Sequence, residues 1–217
     1  MRDILAEIVE KKKDIVANAK REMPLDEVKR SLVCGTFAMT HRFRERDWNL
    51  IAECKLQSPA KGRLCRRYSV TELARIYEAR MLGADAVLLI ARILTPETLK
   101  RFLYTAWSLG MDALIEVHDR RDMEAALATP AEFIGINNRN LVSFTTSIEQ
   151  TMGLLPYADK SRTLISESGV FTGEDARRLH DAGCDGILVG EGLVRADDVA
   201  AQTRLMANAG EEQVDMA

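Results

Sequence analysis

The chain has 217 residues, 47% hydrophobic and 29% charged, which suits one globular domain with an extension and a sizeable core. A net charge of −3 gives no electrostatic reason to expect nucleic acid or an anionic membrane as a partner. Cys34, Cys54, Cys65 and Cys184 form no CxxC pair and no His/Cys cluster, so neither a zinc site nor a disulfide framework is indicated. No apolar run reaches the length of a membrane span, and the first residues carry acids where a signal peptide has an apolar centre. The expected address is the cytoplasm.

In chain order, residues 1–22 set Ile4, Leu5, Ile8, Val9, Ile15 and Val16 at helical spacing, with lysines elsewhere on the helix as a solvated face. Pro24 ends this helix, and a shorter one fits 25–33. Residues 34–49 read as irregular, with Phe37, Phe43 and Trp48 available to cover a core. Residues 1–47 are thus expected to be a helical extension laid against a second domain over 48–217.

From Leu50 onward an apolar strand, a polar turn and an amphipathic helix recur. Strands are predicted near 50–55, 84–91, 111–118, 132–138, 163–168 and 184–190. Helices are predicted near 71–82, 96–109, 120–128, 147–155, 172–182 and 197–207. Gly83 and Gly183 each close a helix and lead directly into a strand. Continuous apolar strands alternating with helices specify parallel pairing, in an open doubly wound sheet or a closed barrel. Polar residues gather at the C-terminal end of nearly every strand rather than at one crevice, which favours an α/β fold of the TIM type. Only six strand–helix units can be read, whereas a (β/α)₈ barrel has eight and typically takes about 250 residues. Six strands must close at smaller radius, leave exposed edges or pair with another chain. The expectation is a monomer or an edge-paired homo-oligomer.

The strand ends carry the chemistry. Glu53 and Lys55 lie two residues apart and share a face with Ile51, either as a buried pair that fixes register or as a site. Glu116 follows apolar residues and should be partly desolvated, as suits a general acid or base; His118 behind it reads more readily as a loop or capping residue. Asn137, Asn138 and Arg139 offer donors and acceptors for hydroxyls or a carboxylate, although an Asn-rich turn, or an Arg139 that bridges strand ends, accounts for them equally. Glu167, Ser168 and Gly169 end one strand, with Thr172 an N-cap and Asp175 three residues on. Gly190, Glu191 and Gly192 end the next, and the last two strand–helix loops of (β/α)₈ barrels are a frequent phosphate site.

Taken together, Ile51-Ala-Glu-Cys-Lys-Leu-Gln-Ser-Pro-Ala-Lys-Gly, Ala84-Asp-Ala-Val-Leu-Leu-Ile, Ile115-Glu-Val-His, Ile134-Gly-Ile-Asn-Asn-Arg-Asn-Leu, Ser166-Glu-Ser-Gly and Leu188-Val-Gly-Glu resemble the indole-3-glycerol-phosphate synthases of tryptophan biosynthesis. The resemblance runs through essentially the whole chain in the family's order. It implies a carbon–carbon lyase that converts 1-(2-carboxyphenylamino)-1-deoxyribulose 5-phosphate to indole-3-glycerol phosphate with loss of CO₂ and water, using no metal or cofactor. By position it implies that Glu53 and Lys55 contact the ribulose portion and that Glu116 handles a proton in dehydration. Asn137, Arg139 and Glu167 would position substrate or one another. Ser58, Ser168, Gly169, Gly190 and Glu191 would surround the phosphate, the last two through backbone, and Leu88 would line the aromatic pocket.

One departure from the family pattern is large. Family members carry two further strand–helix units before the segment matching Gly83-Ala-Asp-Ala, and the second bears a Lys-Asp-Phe motif whose lysine is the general acid of ring closure. That motif is absent here. Instead Thr71-Glu-Leu-Ala-Arg-Ile-Tyr-Glu-Ala-Arg-Met-Leu-Gly joins the start of the family's first helix to the end of its third. The implication is an enzyme of reduced activity; the alternative is a non-catalytic member that binds a phosphate ligand.

Overall fold

The protein is described by a computed structural model over residues 30, 33–53, 57–58, 62–63, 80, 83–140 and 143–211. The helices predicted over 1–22, 25–33 and 71–82 fall outside these residues except at Arg30, Val33 and Arg80.

Six strands form one parallel sheet: β1 (Asn49–Ala52), β4 (Ala86–Ile90), β5 (Asp112–Val117), β6 (Phe133–Asn137), β7 (Thr163–Glu167) and β8 (Gly186–Val189). Two-residue strands β2 (Gln57–Ser58) and β3 (Gly62–Arg63) form a separate antiparallel pair. The large sheet runs β1-β8-β7-β6-β5-β4, so the first strand pairs with the last, as in a TIM-type barrel. Among the described residues β1 and β4 each pair on one side only, and the sheet is open between them.

From β4 onward each strand is followed by a helix, with a 3-10 turn (Ala91–Ile93) between β4 and the first of them. These are α2 (Pro96–Ser108), α3 (Arg120–Leu127), α4 (Glu149–Leu154), α5 (Gly173–Asp181), a short α6 (Glu191–Val194) and α7 (Val199–Ala207). Helix starts follow the sequence signals. Thr95, Asp119 and Asp198 accept from the backbone N–H three residues on, and Thr172 with Asp175 completes a capping box. Gly83 and Gly183 take positive φ of 86° and 100°, the left-handed turn that lets a helix stop and a strand begin.

Period two along the strands divides the core. Ala113, Ile115, Val117, Ile134 and Ile136 face Leu99, Leu103 and Ala106 of α2 and Met123 and Ala126 of α3. Ile187 and Val189 face Ala176, Leu179 and Met206. The alternate residues Leu114, Phe133 and Ile165 turn to the concave side, with Ile51 and Leu188 against them. Burial in the outer layer pushes the Cys184 thiol up to about 12, which keeps it inert.

The stretch read as irregular contains a helix, α1 (Ala38–Phe43), that closes the bottom of the concave side. Its Thr40 N–H donates to Asp112 Oδ2 at 3.0 Å, the Thr40 hydroxyl bonds Asp112 Oδ1, and the Phe43 ring meets Phe133 edge-on at 5.3 Å. Six residues are too few for a legible period and too few to be helical alone, so α1 exists by tertiary contact. Trp48 is buried as expected, its indole N–H bonded to Met206 O at 2.8 Å, whereas Phe37 stays 36% exposed.

Candidate functional site

The concave residues identify the site by parity. Ile51, Leu114, Phe133, Ile165 and Leu188 share one cluster. Glu53, Glu116, Glu167 and Gly190 each follow one of these by two residues, and Asn137 follows Phe133 by four. All five therefore open at the same mouth, the C-terminal end of the sheet.

The neighbours at that mouth interlock. Glu116, 8% exposed, accepts from Asn137 Nδ2 at 3.1 Å through Oε2. Asn137 Oδ1 accepts from the Arg139 N–H at 2.9 Å, which turns the chain after β6. Glu167 is the register partner of Asn137 and leans across Gly135, where an added Cβ would lie 1.7 Å from Glu167 Oε1. Glu53 uses the next strand in the same way. Its N–H donates to Val189 O at 2.8 Å, and a Cβ at Gly190 would lie 2.6 Å from its Oε2. Glycine on one strand thus makes room for the acid on its neighbour.

Behind the mouth, in the loop between β5 and α3 where the sequence placed it, sits a buried polar group. His118 is 6% exposed, with Nε2 3.4 Å from Glu116 Oε1 and Nδ1 3.8 Å from Asp122 Oδ2. Asp122 Oδ2 also takes the His118 N–H at 3.0 Å and lies 3.2 Å from Arg92 Nε. Burial pushes the His118 imidazole below its ordinary pKa, against the pull of Glu116 that raises it; Arg92 adds to the lowering. Parity was the available signal, since His118 follows Glu116 by two at the end of a strand buried throughout.

The other predicted residues divide by position. Arg139 bridges strand ends, its Nη2 3.5 Å from Glu191 Oε2, and Glu191 Oε1 also takes Arg195 Nη1 at 2.9 Å. Asn138 serves the fold: its Nδ2 reaches Ser166 Oγ and Ser168 O, both at 2.9 Å, and its Oδ1 receives the N–H and hydroxyl of Thr151. Ser168 and Gly169 both take positive φ, 64° and 73°, in the turn after β7. That turn packs on the one after β8, since a Cβ at Gly192 would be 2.3 Å from Val170 O. Leu88 pairs in register with Leu114 on the concave face and is 42% exposed at the open edge. Lys55 lies outside the described residues, and Ser58 is described only as part of β2. No group of three His, Cys, Asp or Glu able to hold a metal occurs among the described residues.

A carboxylate held by an amide, beside further carboxylates at one partly dry mouth, is equipped to move protons and orient hydroxyls. Comparison with known proteins agrees with the fold. The chain superposes on 3-hexulose-6-phosphate synthase from Salmonella typhimurium with a TM-score of 0.51 at 16% identity, over 58% of this chain and 62% of that one. Thiamine phosphate pyrophosphorylase from Pyrococcus furiosus gives 0.50 at 19% identity, over 64% and 65%. In sequence it is 41% identical to the indole-3-glycerol phosphate synthase of Alkaliphilus metalliredigens over 141 residues, 65% of this chain and 54% of that protein. It is 44% identical to that of Chloroherpeton thalassium over 136 residues, 63% and 52%. The chain spans about half the length of the curated relatives it matches. The indole-3-glycerol phosphate synthase profile matches residues 5–79 and again 74–206, and the two matches share 74–79. With both matches in order and spanning most of its length, this chain belongs to the indole-3-glycerol phosphate synthase family.

Proposed function

We propose that the chain is a cytoplasmic carbon–carbon lyase of tryptophan biosynthesis. It closes the ring of 1-(2-carboxyphenylamino)-1-deoxyribulose 5-phosphate with loss of CO₂ and water, at a rate reduced by the missing Lys-Asp-Phe lysine. The observation that carries this reading is the convergence of Glu53, Glu116, Asn137 and Glu167 on one mouth. Glu116 exchanges the proton of dehydration, with Asn137 orienting its carboxylate. Glu53 and Lys55 hold the ribulose hydroxyls and Glu167 completes that network. Leu88 offers an apolar face to the anthranilate ring, and Arg139 braces the mouth through Glu191. Backbone N–H groups of Gly169, Gly190 and Glu191, with the Ser58 and Ser168 hydroxyls, receive the phosphate. The Glu191 carboxylate is engaged by Arg139 and Arg195, which fits a backbone role for that residue.

The test is a steady-state assay for indole-3-glycerol phosphate. The wild-type chain should exceed the Lys55→Ala, Glu116→Gln double variant by about 10²–10⁴, the usual worth of a positioned acid or base. Equal rates would end the claim of catalysis. The absent lysine favours a second reading, a family member that binds the phosphate ligand without turning it over. Calorimetry with the same substrate separates the two: heat of binding without product supports the second reading, and no binding rejects both.

A further inference from the structure

The imidazole behind Glu116 is unusual for a packing residue. Both its ring nitrogens are buried with no hydrogen-bond partner among the described residues, yet a carboxylate stands off each of them. As filler, an apolar ring of the same size would serve better, because a buried nitrogen without a partner is destabilising. The ring is also clamped in place. Asp122 holds the His118 main chain, Arg92 braces Asp122 and bonds Asp119, and Gln150 Nε2 bonds His118 O. The two oxygens of Glu116 thus have different neighbours: Oε2 has the Asn137 amide toward the mouth, and Oε1 has the ring toward the protein.

We propose that His118 is a positioning residue for Glu116, its Nε2 steering Oε1 and sharing a single proton with it, while Asp122 and Arg92 fix the ring from behind. The inference rests on the reading of Glu116 as the proton-handling group. When Glu116 carries the proton, the neutral ring, with its own proton on Nδ1 toward Asp122, accepts at Nε2. When the proton crosses to Nε2, the Glu116 carboxylate is left facing an imidazolium that donates from the same nitrogen, and the proton stays within the pair. The 3.4 Å gap is of the kind that tightens once ligand fills the mouth. Four charged groups face the ring: Glu116 from β5, Arg92 from the turn after β4, and Asp119 and Asp122 from the start of α3. Burial and Arg92 favour the neutral ring, and the three carboxylates favour the cation.

The test uses the full chain and two readouts. In ¹⁵N-histidine NMR, with the three histidines assigned by substitution, Glu116→Gln should move the His118 titration to lower pH, because it removes an anion that stabilises the imidazolium. In the kinetic assay, His118→Phe should keep the fold and KM, lower kcat by about tenfold and displace a limb of the pH profile, less than the ~10²–10⁴ expected of Glu116 itself. His118→Gln, which keeps a donor near Oε1, should recover part of that loss. A His118 titration unmoved by Glu116→Gln, or a His118→Phe variant with wild-type kcat and pH profile, overturns the proposal while leaving the lyase reading intact. Absence of turnover in the wild-type chain overturns the lyase reading and, with it, the role of His118 in the reaction.

Discussion

At Gly135 a hydrogen atom stands where any other residue would carry carbon, and the Glu167 carboxylate occupies the space. A methyl group there meets the far end of a flexible side chain rather than backbone, so Gly135→Ala should cost only the about 1–3 kcal/mol typical of overpacking. It should nonetheless swing Glu167 out of register with Asn137, and a misplacement of about 1 Å in such a site can cost 10²-fold in rate. Urea denaturation and the indole-glycerol phosphate assay on the same variant would show a folded protein with turnover down by about that factor. A variant as active as wild type would remove Glu167 from the machinery. At this scale the sequence was informative about which side chains share a face, because parity alone aligns Glu53, Glu116, Asn137 and Glu167. The family resemblance already put Asn137 and not Asn138 in the site, and the Asn138 side chain is engaged elsewhere: Thr151, Ser166 and Ser168 take all its polar groups on the outer side of the sheet.

Among the elements, the six strands of the large sheet and helices α2, α3, α4, α5 and α7 fall within a few residues of their predicted limits, since apolar runs and caps are local signals, whereas the four-residue α6 and the two-residue β2 and β3 were not predicted. Helix α5 is the clearest case. The Thr172 hydroxyl takes the Asp175 N–H at 3.0 Å, and Asp175 returns a bond to the Thr172 N–H at 3.0 Å. Thr172→Ala should lower stability by about 1 kcal/mol, within the range of roughly 0.5–2 for lost N-caps, read as a lower denaturation midpoint at unchanged slope. An unchanged midpoint would mean that packing of Ala176 and Leu179 holds the helix start without the cap. Helix α1 was illegible for the opposite reason. What stabilises it is Asp112, 72 residues away, and no window on the sequence joins the two.

In the whole molecule, β1 pairs with β8 as a barrel seam requires, yet β1 and β4 do not meet among the described residues. By the family resemblance, the two further strand–helix units would stand in this gap, entering the chain where the two profile matches overlap at 74–79. Grafting two such units, with their Lys-Asp-Phe segment, in place of residues 74–79 should supply both the missing wall and the missing acid. Turnover should rise by about 10²–10⁴, the contribution of a positioned general acid. A graft that folds cooperatively without any gain would show that the acid is not what limits this chain. The exposed Leu88 at the β4 edge marks where that wall would cover the concave face.

The order of residues was enough to set the class of fold, the strands, the caps and the faces on which the acids lie, because each depends on neighbours within a few positions. It also carried the family, through motifs that lie at strand ends in a fixed order. Tertiary structure alone decided that β1 and β4 do not pair among the described residues, that α1 seals the base of the sheet, and that His118 lies buried behind Glu116. These depend on contacts between segments far apart in the chain, where desolvation and packing rather than local pattern determine the outcome.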